Sequence, residues 1–256
     1  ALGIGPGCSV VTVAHTAGGT VAASGMVGAT PVLIDINPRS YCMDPDELAE
    51  VVTRWGAGGG EVPPIRAVIP VHLYGHPADM PRIMSIARAA GISVVEDCAQ
   101  AHGARLAGAK VGTFGDIAAF SLYPTKNLGA FGDGGIVATS DAGLRARVAE
   151  LRQYGWRDRY VSAVGGVNSR LDEIQAAILR VRLEDLDARN AARAAVAARY
   201  DTVLAGTDVA TPWRAPGSDH VFHQYVVRCP DRDRLRAHLA ACRVDCAVHY
   251  PVPVHR

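Results

Sequence analysis

A lysine at position 126 and a serine at 121 stand five residues apart in the stretch SLYPTKNLGAFGDGG, residues 121–135. Lysine is scarce here: of 26 basic residues only Lys110 and Lys126 are lysines, and the rest are arginines. A desolvated ammonium can lose its proton and attack a carbonyl, which a guanidinium cannot do. Upstream, VVEDCAQAHGA carries the acidic pair Glu96–Asp97. In parallel sheets chemistry collects at the carboxyl ends of strands. The apolar run ISVVE ends at the acidic pair and IAAFSL ends beside Ser121, so an acid, a hydroxyl and a lysine converge on one sheet edge. That trio suits pyridoxal phosphate. The amine forms an imine with the aldehyde, the carboxylate keeps the ring nitrogen protonated, and the hydroxyl with backbone amides holds the phosphate. Each residue alone also has a plainer reading as a cap, a turn residue or a surface lysine. Lys110, in RLAGAKVGTFGD, lacks such partners and reads as a surface residue.

The elements that must position these groups read as an α/β fold. Short apolar runs alternate with helical patterns, the signature of a mainly parallel sheet covered by helices. Expected strands are Ser9–Ala14, Pro31–Ile36, Arg66–Val71, Ile92–Glu96, Ile117–Leu122 and Gly135–Thr139. Asp44, Pro45 and Glu47 predict a capped helix running to about Trp55, and Pro81–Ala90 a second, stopped by Gly91. A further helix is expected to open at Gly18 and Gly19, each costing about 1 kcal/mol. Gly56–Pro64 reads as a flexible surface loop. Long helices follow over Ala142–Tyr154 and Leu171 to about Leu204, then strands at Val221–Arg228 and Val244–Tyr250 flanking a helix over Asp231–Ala241. This predicts a large domain over residues 1–185 and a partial small α/β domain over 186–256.

The formal charge of +1, without a basic run, argues against nucleic-acid binding. No stretch reaches the roughly 20 apolar residues of a membrane span, so the expected location is cytoplasmic. Six cysteines are too scattered for a disulfide scaffold. His238, Cys242, Cys246 and His249 superficially resemble zinc ligands, but they lie on differently directed elements; buried cysteines are expected instead, and no metal. The glycine-rich pieces GIGPG and GAFGDGG lack the strand–loop–helix order of a dinucleotide site.

Taken together, VVEDCAQAHGA, GDIAAFSLYPTKNLGAFGDGG and NSRLDEIQAAIL, in this order, resemble the DegT/DnrJ/EryC1/StrS family of sugar aminotransferases. HTAGGTVAASGMVGATPVLIDI, IPVHLYGHPADM and the closing VHYPVPVH extend the likeness along the chain. The resemblance implies a PLP-dependent transferase of fold type I, the aspartate aminotransferase fold. By it, Lys126 is the Schiff-base lysine, Asp97 pairs with the pyridine nitrogen, and Gln100 contacts the ring's hydroxyl side. Ser121 is a phosphate ligand and Asn168 reaches the phosphate from the partner subunit, which implies a homodimer with a shared site. His15 and Thr16 lie by the cofactor. Where many relatives carry an aromatic after Thr16, this chain has Ala17, leaving His15 the only nearby ring. Tyr123, His249 and Tyr250 line the sugar-nucleotide pocket. The implied reaction moves an amino group from L-glutamate to a nucleotide-linked keto-deoxysugar, with Lys126 as base and then acid. Dehydratase relatives carry histidine at the lysine position, and YPTKNLGA followed by GDGG looks most like the branch acting on 3-ketosugars in antibiotic pathways. The chain begins without methionine and ends just after an expected strand, so further material is expected at either end. A second class stays open: a truncated, catalytically impaired paralogue acting as a remnant or interaction protein.

Overall fold

A computed structural model describes residues 1–55 and 62–256. The elements run β1 (Ser9–Val13), α1 (Gly18–Met26), β2 (Thr30–Ile34), α2 (Pro45–Trp55), β3 (Ile65–Val68), α3 (Met80–Ala89) and β4 (Ser93–Asp97). They continue through the short strands β5 (Arg105–Leu106) and β6 (Ala109–Lys110) to β7 (Ile117–Ser121) and β8 (Gly135–Ala138). Beyond them come α4 (Ala142–Leu151), β9 (Trp156–Asp158), β10 (Val161–Ser162), α5 (Glu173–Glu184), α6 (Leu186–Leu204), β11 (Ser218–Asp219) and α7 (Arg232–Ala241). Most of the loop expected over Gly56–Pro64 lies outside the described residues.

The main sheet has the order β2-β1-β3-β4-β7-β8. Its first five strands are mutually parallel and only β8 runs antiparallel, against β7. All of β1 is buried, as expected for a central parallel strand covered on both faces, whose sequence SVVTV is apolar without alternation. The core joins Val11, Val13, Ile34, Leu48, Val68, Met80, Ile83 and Val94. Helix α3 is fixed at both ends. The Asp79 carboxylate accepts the Arg82 N–H at 3.3 Å, and Gly91 follows the helix at φ 64, a conformation glycine adopts freely. α1 does open at Gly18, with Ala17 before it supplying no side-chain cap.

One buried cluster ties the sheet to the site. Glu96 is fully buried, and its carboxylate accepts backbone N–H groups from Gly112, Phe114 and Gly115 at 2.7, 2.8 and 2.7 Å. His72 Nε2 adds a fourth donor at 3.1 Å, while its Nδ1 accepts the Ala78 N–H at 3.0 Å. Burial alone would raise the Glu96 pKa, but the His72 bond and the backbone amides outweigh it and hold the group below the ordinary carboxyl range. Cys98 lies close to both. The His72 nitrogens and the Glu96 oxygens are already committed, so the cluster is a structural clamp and not an ion site.

Three sequence expectations need correction. The helix over Leu171–Leu204 is two helices, broken at Asp185. Leu179 of α5 and Leu186 of α6 share one buried cluster with Leu122, Leu128 and Ala130, and α6 also buries Asn190 and Ala197. The strands expected at Val221–Arg228 and Val244–Tyr250 do not form ladders. Phe222 sits at φ 44, outside extended backbone, and Val221 and Gln224 instead donate to the carbonyls of Gly75 and Tyr74 at 3.0 and 3.3 Å. After α6 the strand β11 pairs back onto β5. Finally, Cys242 and Cys246 are exposed, not buried. Of the four residues resembling zinc ligands, His238 and Cys242 approach at 3.9 Å, and no metal-like cluster of the four forms among the described residues.

Replacing Glu96 by alanine strands three part-buried amides and the buried His72 ring, and should cost about 3–5 kcal/mol of unfolding free energy, read by urea denaturation. Because the folded pKa of Glu96 is depressed, its contribution is present above the ordinary range near 4.5 and disappears as pH falls through the folded value. The wild-type advantage over Glu96→Ala should therefore shrink in acid.

Candidate functional site

The carboxyl ends of β4 and β7 lie side by side, with Asp97 in register with Ala119. Strand alternation sends neighbouring side chains to opposite faces, so Glu96 enters the core while Asp97 stays partly exposed. Each Asp97 oxygen has one internal donor: the Thr20 hydroxyl at 2.8 Å and the Ala99 N–H at 3.1 Å. Thr16 backs this through a hydroxyl contact with Thr20 at 2.9 Å. The carboxylate is oriented yet keeps acceptor capacity for a further donor.

Lys126 follows β7 in a turn whose backbone N–H donates to the Tyr123 carbonyl at 2.9 Å. Gly129 permits the turn, since a Cβ there would meet the Pro124 carbonyl oxygen at 2.5 Å. The Lys126 amine is half-buried and has no hydrogen-bond partner among the described residues. Burial lowers its pKa, and the negative charge of Asp97 acts in the opposite direction. Lysine and carboxylate thus share one electrostatic environment without an ion pair. Ser121 Oγ accepts the Tyr123 N–H at 3.3 Å, leaving its proton to donate. Tyr123, half exposed, stands on the same turn.

A second group reaches the site from the other side. Tyr74 occupies φ 60 in a single 3-10 turn over Leu73–Gly75, a region that a bulky residue enters only when its surroundings hold it. Its N–H donates to Gln100 Oε1 at 2.6 Å, and its hydroxyl donates to the His249 carbonyl. With that proton committed, the 2.8 Å contact to His15 Nε2 requires His15 to be the donor. Burial lowers the pKa of His15, partly opposed by Asp35, which favours the neutral ring. Gln100 Nε2 donates to the Tyr250 hydroxyl at 2.8 Å, so the tyrosine proton is free to point into the site. Burial raises the Tyr250 pKa and keeps that proton in place.

The structure therefore gathers His15, Thr16, Asp97, Gln100, Ser121, Tyr123, Lys126, His249 and Tyr250 around one sheet edge. Asn168 lies apart, exposed, in a bridge with Gln153. Gln100 spends its carbonyl on Tyr74 and one N–H on Tyr250, a use its sequence context does not announce. The sequence reading omits Thr20, Tyr74, Asn127 and His223. Thr20 had a readable signal, four residues after Thr16 on a helix; Tyr74 depends on an unusual backbone angle and had none. Beside His15, Tyr74 and Tyr250 opens a cavity of about 640 Å³ whose farther wall includes Val226, Leu235, Leu239 and Val248. Among the described residues no helix is long and apolar enough to cross a membrane.

The Tyr74 hydroxyl joins two segments far apart in sequence. Tyr74→Phe should cost about 1–2 kcal/mol and make the segment after α7 more sensitive to limited proteolysis.

Comparison with known proteins matches this arrangement to one family. The sequence profile of the DegT/DnrJ/EryC1/StrS aminotransferase family matches residues 1–256. The chain is 47% identical over 255 residues to a dTDP-3-amino-3,4,6-trideoxy-alpha-D-glucose transaminase of Streptomyces venezuelae, covering 99% of this chain and 65% of that protein. It is 44% identical over 256 residues to a UDP-N-acetyl-3-dehydro-alpha-D-glucosamine 3-aminotransferase of Acidithiobacillus ferrooxidans, covering 100% of this chain and 67% of the relative. A crystal structure of S. venezuelae DesV in complex with a ketimine intermediate superposes with a TM-score of 0.93 at 47% identity, over 99% of this chain and 66% of that one. The chain thus spans about two thirds of the length of these relatives.

Proposed function

The chain belongs to the DegT/DnrJ/EryC1/StrS aminotransferase family, and on that premise we propose that it is a pyridoxal phosphate-dependent aminotransferase acting on a nucleotide-linked ketosugar. The observation that carries this reading is the pairing at one sheet edge of an unpartnered, half-buried Lys126 amine with the oriented Asp97 carboxylate. The donor set fits the cofactor: an amine of lowered pKa for its aldehyde, a carboxylate with spare acceptor capacity for its ring N–H, and a serine proton for its phosphate. When bound, pyridoxal phosphate supplies the aldehyde and an electron-accepting ring.

The chain's own residues then have separable tasks. Asp97 would hold a proton at the ring nitrogen, and Thr20 with Ala99 keeps its oxygens aimed. Lys126 would hold the cofactor through Nζ, and its free amine can take a proton at Nζ and return it. Desolvation favours that exchange because it lowers the pKa of the amine, against the opposing pull of Asp97. His15 packs at the cofactor, Gln100 sets the position of Tyr250, and Tyr250, Tyr123 and His249 line the sugar's approach. L-glutamate is the proposed amino donor. The named relatives, which act on dTDP- and UDP-linked aminosugars, support the substrate class and favour catalysis over the reading as a remnant protein.

We also propose a homodimer, with Asn168 reaching the phosphate site of the partner. Exposed apolar side chains beside the lysine turn support it: Phe131 and Ile174 are 73% and 77% exposed, and Gln175 binds the Phe131 N–H at 2.9 Å. Ile174→Glu should convert a two-chain mass in light scattering to a one-chain mass.

Incubation with pyridoxal phosphate, borohydride reduction and peptide mapping test the site. The phosphopyridoxyl mass should fall on Lys126 and vanish in Lys126→Ala. Labelling of Lys110 alone, or none, contradicts the assignment. In turnover, Lys126→Ala should lose at least about 10²–10⁴-fold, the usual worth of a positioned acid–base group.

A further inference from the structure

Behind the lysine lies a buried polar unit with no part in the reading above. The side chain of Asn127, the residue after Lys126, is buried and fully satisfied. Its Nδ2 donates to Asn190 Oδ1 at 2.9 Å and to the Val221 carbonyl at 3.0 Å. A carbonyl only accepts, which fixes the amide's orientation. Asn127 Oδ1 then faces His223 Nδ1 at 3.2 Å, and since it can only accept, His223 must carry its proton on Nδ1. The other ring nitrogen is left as a lone-pair acceptor. Asn190, on α6, passes the restraint on: its Nδ2 donates to the His102 carbonyl at 2.9 Å. It reaches that carbonyl only because residue 103 is glycine, where a Cβ would lie 2.8 Å from Asn190 Nδ2.

A half-buried imidazole, His223, fixed in tautomer, and a buried one, His102, held through its backbone, therefore flank the lysine turn. Both feel the Lys126 charge. Burial first, then Lys126, lowers His102 to about 4. Burial, then Lys126, Arg193, His102 and His249, lowers His223 to about 3. Neutral rings beside the lysine turn offer the ammonium no negative partner. Of the charged groups around it among the described residues, only Asp97 opposes loss of its proton.

We propose that His223 is a positioning residue for Lys126, held as the Nδ1–H tautomer by Asn127 and anchored to α6 by Asn190, and that this unit keeps the lysine amine desolvated. The proposal rests on the reading of Lys126 as the reactive amine. Its test is made without cofactor or substrate, so it can fail while that reading stands.

The composition supplies the assay. With only two lysines, competitive acetylation of the full chain stripped of cofactor, followed by mass spectrometry across a pH series, yields one curve for Lys126 and an internal reference from Lys110. In the wild type, Lys126 should titrate below Lys110. In His223→Ala, and in the more distant Asn190→Ala, the Lys126 curve should move toward that of Lys110 by at least about half a pH unit, roughly threefold in reactivity at fixed pH. His223→Gln, whose amide can still donate to Asn127, should restore most of the wild-type curve. A merely structural role would lower the melting temperature in these variants and leave the Lys126 curve unmoved, which would overturn the proposal. So would a wild-type Lys126 that titrates together with Lys110. If His223→Ala does not fold, Asn190→Ala and His223→Gln decide the matter alone.

Discussion

Four hydrogen bonds converge on the fully buried carboxylate of Glu96, and the geometry of the site depends on them. Three come from the backbone of Gly112–Gly115, the turn that feeds β7; the fourth comes from His72. By fastening that turn to β4, Glu96 helps set the register in which β7 lies beside β4, and so where Ser121 and the Lys126 turn emerge relative to Asp97. Two adjacent acids divide the labour because a strand alternates its side chains. One is spent on backbone amides inside; the other is kept for the site.

The lysine's environment follows from the same economy of partners. Asp97 is oriented by Thr20 and Ala99 and not by Lys126. An ion pair would have raised the amine's pKa and fixed it in place; a shared field without contact leaves it lower and free to move. Tyr74 holds the opposite wall, binding the segment at His249 and Tyr250 to the loop after β4. The site is thus assembled from pieces widely separated in sequence, and its precision comes from side-chain hydrogen bonds more than from the ends of secondary elements.

This explains what could be read beforehand. The sheet strands around the site were legible because parallel strands buried on both faces are written as short apolar runs. Lys126, Asp97 and Ser121 were legible because they lie just beyond such runs, and because lysine is rare in this chain. The unit of Asn127, Asn190 and His223 was not, since those residues are distant in sequence and meet only through tertiary packing. Val221–Arg228 looked like a strand by composition, yet a strand also needs a ladder partner, and Phe222 departs from extended backbone. Likewise, the outer-face charges of Leu171–Leu204 gave no warning of the break at Asp185.

The central claim is that Lys126 and Asp97 serve amino-group transfer. A single-turnover half-reaction tests it most directly: chain loaded with pyridoxal phosphate, mixed with excess L-glutamate and no sugar acceptor. The account predicts release of one 2-oxoglutarate per bound cofactor, with conversion of that cofactor to its amine form. Glutamate consumed without 2-oxoglutarate, or a cofactor left wholly in the aldehyde form by every amino donor tried, would contradict it.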